Sequence, residues 1–125
     1  MKQIIKTLNS SLPIAPYNQG VMANGTLYIS GQIAVNPETA TLNNKDVETE
    51  THQVMKNIKG ILEAAGLDFS NIVKTSIFLD DMTNFGIVND IYAGYFKDDY
   101  PARETVAVKG LPKNVRVEIS AIAVK

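Results

Sequence analysis

The stretch PARETVAVKGLPKNVRVEISAIAV, residues 101–124, holds two runs of alternating apolar residues on either side of Gly110, Leu111, Pro112 and Lys113. How these runs pair decides what kind of sheet the chain builds. Alternation with period two marks a strand with one face buried, and a slip of one residue exchanges the faces. Read as a hairpin with a four-residue loop over 110–113, the stretch sets Thr105 opposite Glu118 and Arg103 opposite Ser120. Val106 and Val108 then share a face with Val115, Val117, Ile119 and Ala121. A five-residue loop would set valines against Arg116 and Glu118.

The first register predicts a second face carrying Arg103, Thr105, Ala107, Arg116, Glu118, Ser120, Ile122 and Val124. Ionic and apolar groups mix there, which suits contact with another subunit better than solvent or a core. The same register brings Arg103 and Glu118 within reach of each other. They read as a cross-strand ion pair worth about 0.2–1 kcal/mol. The sharper reading is a site in which Arg103 takes a carboxylate in a two-pronged contact and Glu118 handles a water. Spacing leaves both open.

Upstream, QIIKT (3–7) reads as a short strand and NSSLPIAPYNQG (9–20), with two prolines, as a long loop able to carry function. In TLYISGQIAV (26–35), Leu27, Ile29 and Ile33 alternate with Tyr28, Ser30 and Gln32, and Gly31 signals a bulge or a close backbone approach. NPETATLNNK (36–45) is a turn-rich connection. Val47, Val54, Ile58, Ile61, Leu62 and Ala65 form the stripe of an amphipathic helix, with Asp46 as N-cap and Gly66 as stop. NIVKTSIFL (71–79) is a strand, and TNFGIVNDIYAGYF (83–96) returns to helical spacing through Phe85, Val88, Ile91, Tyr92 and Tyr95. The prediction is a single α+β domain over residues 1–125, with two helices on one face of a single mixed sheet.

Composition narrows the chemistry. Hydrophobic residues make up 45% and charged residues 20%, ordinary values for a globular domain. Twelve Lys and Arg against thirteen Asp and Glu offer nucleic acid or an anionic membrane no excess of positive charge. Without cysteine there is no disulfide, thiolate metal site or thiol nucleophile, and the single histidine, His52, speaks against a multi-histidine zinc site. No apolar run approaches the roughly eighteen residues of a membrane span, so the expected location is cytoplasmic. His52 falls on the polar side of its helix as a surface residue, and Tyr92, Tyr95 and Phe96 read as core. Asp80, Asp81, Asp98 and Asp99 read as loop charges flanking the second helix.

The segments APYNQGV, YISGQIAVNPET, NIVKTSIFLDDMTNF, YPARETVAV and LPKNVRVEISAIAV resemble, in that order, the conserved blocks of the reactive-intermediate deaminase family, RidA, formerly YjgF. The resemblance covers nearly the whole chain. It implies a chorismate-mutase-like fold that forms a homotrimer through the uncovered sheet faces, with clefts between subunits. It also implies hydrolysis of 2-imino acids (2-iminopropanoate, 2-iminobutanoate) to 2-oxo acids and ammonia, without cofactor or metal. Carried over position by position, the carboxylate-binding arginine is Arg103 and the water-positioning glutamate is Glu118. Tyr17, Ser30, Gly31 and Asn89 match substrate-binding positions, and the backbone at Thr105 contacts the substrate nitrogen.

Three positions depart from the family pattern. Thr105 stands where many members have cysteine, Glu104 where a small residue is common, and Ser120 where some have a second glutamate. In the first register Glu104 points away from Arg103's face, yet an acidic neighbour could still weaken the positive field that attracts an anion. Two other functions compete with the enzyme. A non-catalytic metabolite-binding regulator would need Arg103 but not Glu118, and an RNA-directed inhibitor of translation would need a basic stripe with interleaved aromatics that the chain lacks.

Overall fold

A computed structural model describes all 125 residues. Strands β1 (Lys2–Ile5), β2 (Gly20–Ala23) and β3 (Thr26–Gln32) are followed by the two-residue strands β4 (Val35–Asn36) and β5 (Thr41–Leu42). Helix α1 (Val47–Ala64), β6 (Ile72–Leu79), α2 (Phe85–Ala93), β7 (Ala102–Ala107) and β8 (Val117–Val124) complete the chain. Six strands form one sheet in the order β1-β2-β3-β8-β6-β7, and β4 and β5 pair apart from it. The α+β prediction of a mixed sheet with two helices holds.

Local chemistry explains the element ends. Asp46 Oδ1 accepts the Thr49 N–H at 2.7 Å and starts α1. The helix stops where Leu67 N–H reaches back to the Leu62 carbonyl and Gly66 N–H to that of Glu63, a paired closure with Gly66 at φ 75°. Between β2 and β3, Asn24 and Gly25 both have positive φ, 51° and 78°, as a two-residue hairpin turn demands. That hairpin was legible in the dipeptide Asn-Gly, yet the sequence reading assigned no strand to 20–23. Helix α2 is shorter than its apolar spacing predicts, giving way at Gly94 to turns that carry Tyr95 and Phe96.

The predicted terminal hairpin is not formed. Strand β8 pairs antiparallel with β6 and β3, while β7 lies on the far side of β6 and runs parallel to it. Parallel neighbours need a crossover connection, which α2 supplies. In register, Arg103 stands beside Thr75 and Thr105 beside Ile77, both of which face the helices. Glu118 stands beside Phe78, and Ser120 beside Ser76, on the open face. Strand β7 is therefore turned over relative to the expectation, and Val106 is 41% exposed rather than in the core. Open-face rows run Tyr28, Ile122, Lys74; then Ser120, Ser76, Glu104; then Glu118, Phe78, Val106. The face is half apolar, as anticipated, with Glu104 and Val106 in place of Arg103 and Thr105.

The main core cluster of 19 residues fills the space between sheet and helices. One ionic group sits within that layer. The Glu50 carboxylate, on the apolar stripe of α1, has no exposed side-chain surface. It accepts from Arg116 Nε at 2.8 Å, Arg116 N at 2.7 Å and Val117 N at 3.1 Å, and Arg116 Nη2 donates to the Asn44 carbonyl at 2.6 Å. This ties the start of α1 to the entry of β8. Glu50→Ala leaves a cation and two backbone donors without their acceptor, and should cost about 3–5 kcal/mol in urea unfolding. Exposed Glu48→Ala should change stability by only about 0.5 kcal/mol.

Candidate functional site

The expected site residues fall into two groups. The first surrounds Glu118 at the end of β3. The ladder between β3 and β8 shifts register between Ile29 and Gln32, inserting an extra residue at Ser30 and Gly31. This is the bulge that Gly31 announced. A Cβ on Gly31 would lie 2.5 Å from Glu118 Oε2 and 2.8 Å from its Cδ, so the carboxylate leans over the bare backbone of the bulge. Ser30 is fixed to the preceding loop, its hydroxyl donating to the Asn18 carbonyl at 2.5 Å and its N–H to Gln19 O at 3.0 Å. Gln19 in turn accepts from Thr7 N and donates to the Thr7 and Ser11 carbonyls. These bonds carry Tyr17, 42% exposed, to the mouth of a cleft of about 330 Å³ shared with Ile14, Ile33 and Pro112. Burial in this cleft pushes the Glu118 carboxyl above its ordinary range.

The second group surrounds Arg103, on the helix side at the sheet edge. Its Nη1 donates to Asn89 Oδ1 at 2.8 Å. Its guanidinium carbon lies 5.1 Å from the Tyr92 ring centre and 5.7 Å from that of Phe85. Tyr92 is held by a 2.7 Å hydrogen bond between its hydroxyl and that of Thr75. Tyr100 and Pro101 complete the wall. The two ion pairs of the chain are Lys74–Glu104 and Arg116–Glu50, so Arg103 has no carboxylate partner. Its charge is held by a neutral amide and by aromatic faces, which fits it to receive an anion through the rest of its donor fork.

Arg103 and Glu118 are thus not within reach of each other in one chain, and the predicted cross-strand pairing fails because β6 separates their strands and the sheet separates their faces. Thr105 lies on Arg103's face, its hydroxyl oxygen buried without a hydrogen-bond partner. Glu104 lies on the opposite face, bonded by Ser76 and paired with Lys74 at 2.9 Å. Those hydrogen bonds, Ser76 first, hold its carboxyl below the ordinary range. As expected, Glu104 is directed away from Arg103, and its charge is paired with Lys74 on that other face. Sequence reasoning treated Tyr92 only as core, whereas it is both core and the support of the guanidinium. The adjacency of Tyr100 and Pro101 to Arg103 was the available signal for the cleft wall. His52 is exposed, as expected, though its Nδ1 meets the Tyr95 hydroxyl at 2.7 Å.

The arrangement sets a cation without a carboxylate partner on one face and a partly buried carboxyl on the other. The sequence model described as Endoribonuclease L-PSP matches residues 7–125. A human protein named 2-iminobutanoate/2-iminopropanoate deaminase is 43% identical over 125 residues, all of this chain and 91% of its own length. A structure from the conserved Rid protein family of Yersinia pestis superposes with TM-score 0.97 at 48% identity, covering both chains completely. That of E. coli TdcF with bound serine superposes with TM-score 0.95 at 38% identity, covering 98% of each chain.

Because Glu118 occupies the volume a Cβ on Gly31 would need, Gly31→Ala should drive the carboxylate toward solvent. The titration of Glu118, followed by carbon-detected NMR, should then relax from its raised position toward the usual value of about 4.3.

Proposed function

The chain belongs to the Rid family, the family of the Endoribonuclease L-PSP model, and from that premise we propose that it hydrolyses reactive 2-imino acids to 2-oxo acids and ammonia. The observation that carries this reading is the unpaired Arg103 guanidinium, built to hold a carboxylate. Such a charge-assisted contact contributes about 1.5–3 kcal/mol. The iminium carbon is already electrophilic, so no covalent enzyme intermediate is needed. Glu118 takes a proton from water as its oxygen bonds to that carbon. The resulting carbinolamine accepts that proton on nitrogen, its hydroxyl gives its own proton back to Glu118 as the C–N bond breaks, the carbon–oxygen double bond forms, and the released ammonia takes the proton from Glu118 to leave as ammonium. General-base help of this kind is worth roughly 10²–10⁴ in rate. Backbone groups at Gly31 and Thr105 hold the nitrogen, and Ser30 and Asn89 fix the two walls.

Since Arg103 and Glu118 lie on opposite faces, the working site draws Arg103, Asn89 and Thr105 from one copy, and Glu118, Gly31 and Tyr17 from another, within a homotrimer. The half-apolar open face and the exposed Leu12, Ile14 and Tyr17 support such packing. Arg103 is the one cation lining either cleft, which suits a small monoanion and not the repeated phosphates of an RNA.

Arg103→Ala should abolish acceleration of pyruvate or 2-oxobutanoate formation from dehydratase-generated imine in the presence of semicarbazide as trap. An unchanged rate would sink the assignment. Sedimentation of the same variant should still report a trimer.

Glu118 must be ionised to act, so the rate should fall as pH drops, with a midpoint above the ordinary carboxylate value. Glu118→Gln should slow hydrolysis at least about tenfold. A raised folded-state pKa means that the native state favours the protonated form. Stability from this group is therefore full below its unfolded pKa and is lost as pH rises through the folded value. The Gln variant should accordingly melt no lower than wild type at neutral pH, and its advantage should vanish in acid.

A further inference from the structure

A third cleft lies away from both groups, between the turn after α1 and the segment after α2. Phe69, Tyr95 and Phe96 wall it, and Asp68, Lys97 and Asp98 stand at its rim. The Phe69 ring centre lies 5.4 Å from that of Tyr95 and 5.6 Å from that of Phe96. The Tyr95 hydroxyl is already occupied by His52, which leaves the ring as wall. The cleft measures about 320 Å³, room for one small molecule.

The rim charges do not close on one another. Asp68 is held by Ser70, whose N–H and hydroxyl both donate to its Oδ1. These bonds, the hydroxyl first, hold its carboxyl low, and Lys97 adds to the effect through space without pairing. Asp98 is likewise unpaired. Opposite charges held apart around an aromatic floor complement a zwitterion carrying an apolar side chain.

We propose that this cleft binds a free α-amino acid with an apolar or aromatic side chain. Lys97 takes the carboxylate, Asp68 and Asp98 the ammonium, and Phe69 and Phe96 the side chain. The cleft shares a wall with the Arg103 site: the Phe96 ring centre lies 4.9 Å from that of Tyr92, whose other contacts include the guanidinium. It also lies 6.1 Å from that of Tyr100, beside Arg103. An occupant therefore bears on the aromatic support of Arg103, and the site stands whether or not the imine reaction does.

The probe is L-phenylalanine, titrated calorimetrically into the full chain and followed by amide shifts. Saturable binding is expected, with shifts at Phe69, Tyr95 and Phe96 and retention in Arg103→Ala. Binding should weaken at least about tenfold in Lys97→Gln, and likewise for 3-phenylpropanoate or phenethylamine, which each lack one charge. Lys97→Gln should leave imine hydrolysis without added amino acid unchanged. No saturable binding at tens of millimolar overturns the proposal, as does binding that survives Lys97→Gln. Binding lost in Arg103→Ala but kept in Lys97→Gln would return the ligand to the Arg103 cleft.

Discussion

The parallel pairing of β6 with β7 is the constraint around which the other elements are arranged. Two strands that run the same way cannot be joined by a tight turn, so the chain must travel the length of the sheet between them, and α2 is that passage. Its position over the sheet edge follows, and with it the placing of Asn89 and Tyr92 above Arg103. Leaving β7, the chain crosses to the other side of β6, where β8 inserts between β6 and β3. Arg103 thereby comes to lie beneath a helix, while Glu118 looks out from the opposite face.

What the sequence disclosed, it disclosed where the determinants are local. The cap at Asp46, the stop at Gly66 and the bulge at Gly31 each depend on a few neighbouring residues, and each stands where its residues implied. Strand pairing is not local. The alternation on both sides of 110–113 is the same whether the runs face each other or flank a third strand. β7 also lacks the core contact that could have fixed its orientation, since none of its six residues is buried. Glu50 escaped notice because it is charged, although it falls three residues after Val47 and four before Val54, squarely on the buried stripe. Only the donors at the entry of β8, 66 and 67 residues away, explain it.

Most of the expected site residues lie in clefts, though not in the arrangement the sequence suggested. Arg103, Asn89, Glu118, Gly31, Ser30 and Tyr17 all line clefts, yet they line two clefts rather than one. Glu104, the departure beside Arg103, points to the other face as strand alternation requires, and what the sequence did not disclose is its pairing there. Lys74, three residues into β6, supplies its counter-charge.

The two clefts share a physical oddity. Arg103 is a cation whose neighbours are an amide and two aromatic rings, and Glu118 is an acid whose burial works against its ionisation. Each breaks the rule that a sequestered charge keeps a partner, and such departures concentrate where function needs them. A single chain cannot resolve the conflict by joining the two groups, because the sheet lies between them. On the proposed reading, packing the helix-side edge of one copy against the open face of the next brings the two groups to one cleft, with a small anion and a water between them. On that reading, a carboxylate bound at Arg103 would take up the cation's charge, leave Glu118 without an ion-pair partner, and so preserve the raised pKa that burial confers on it.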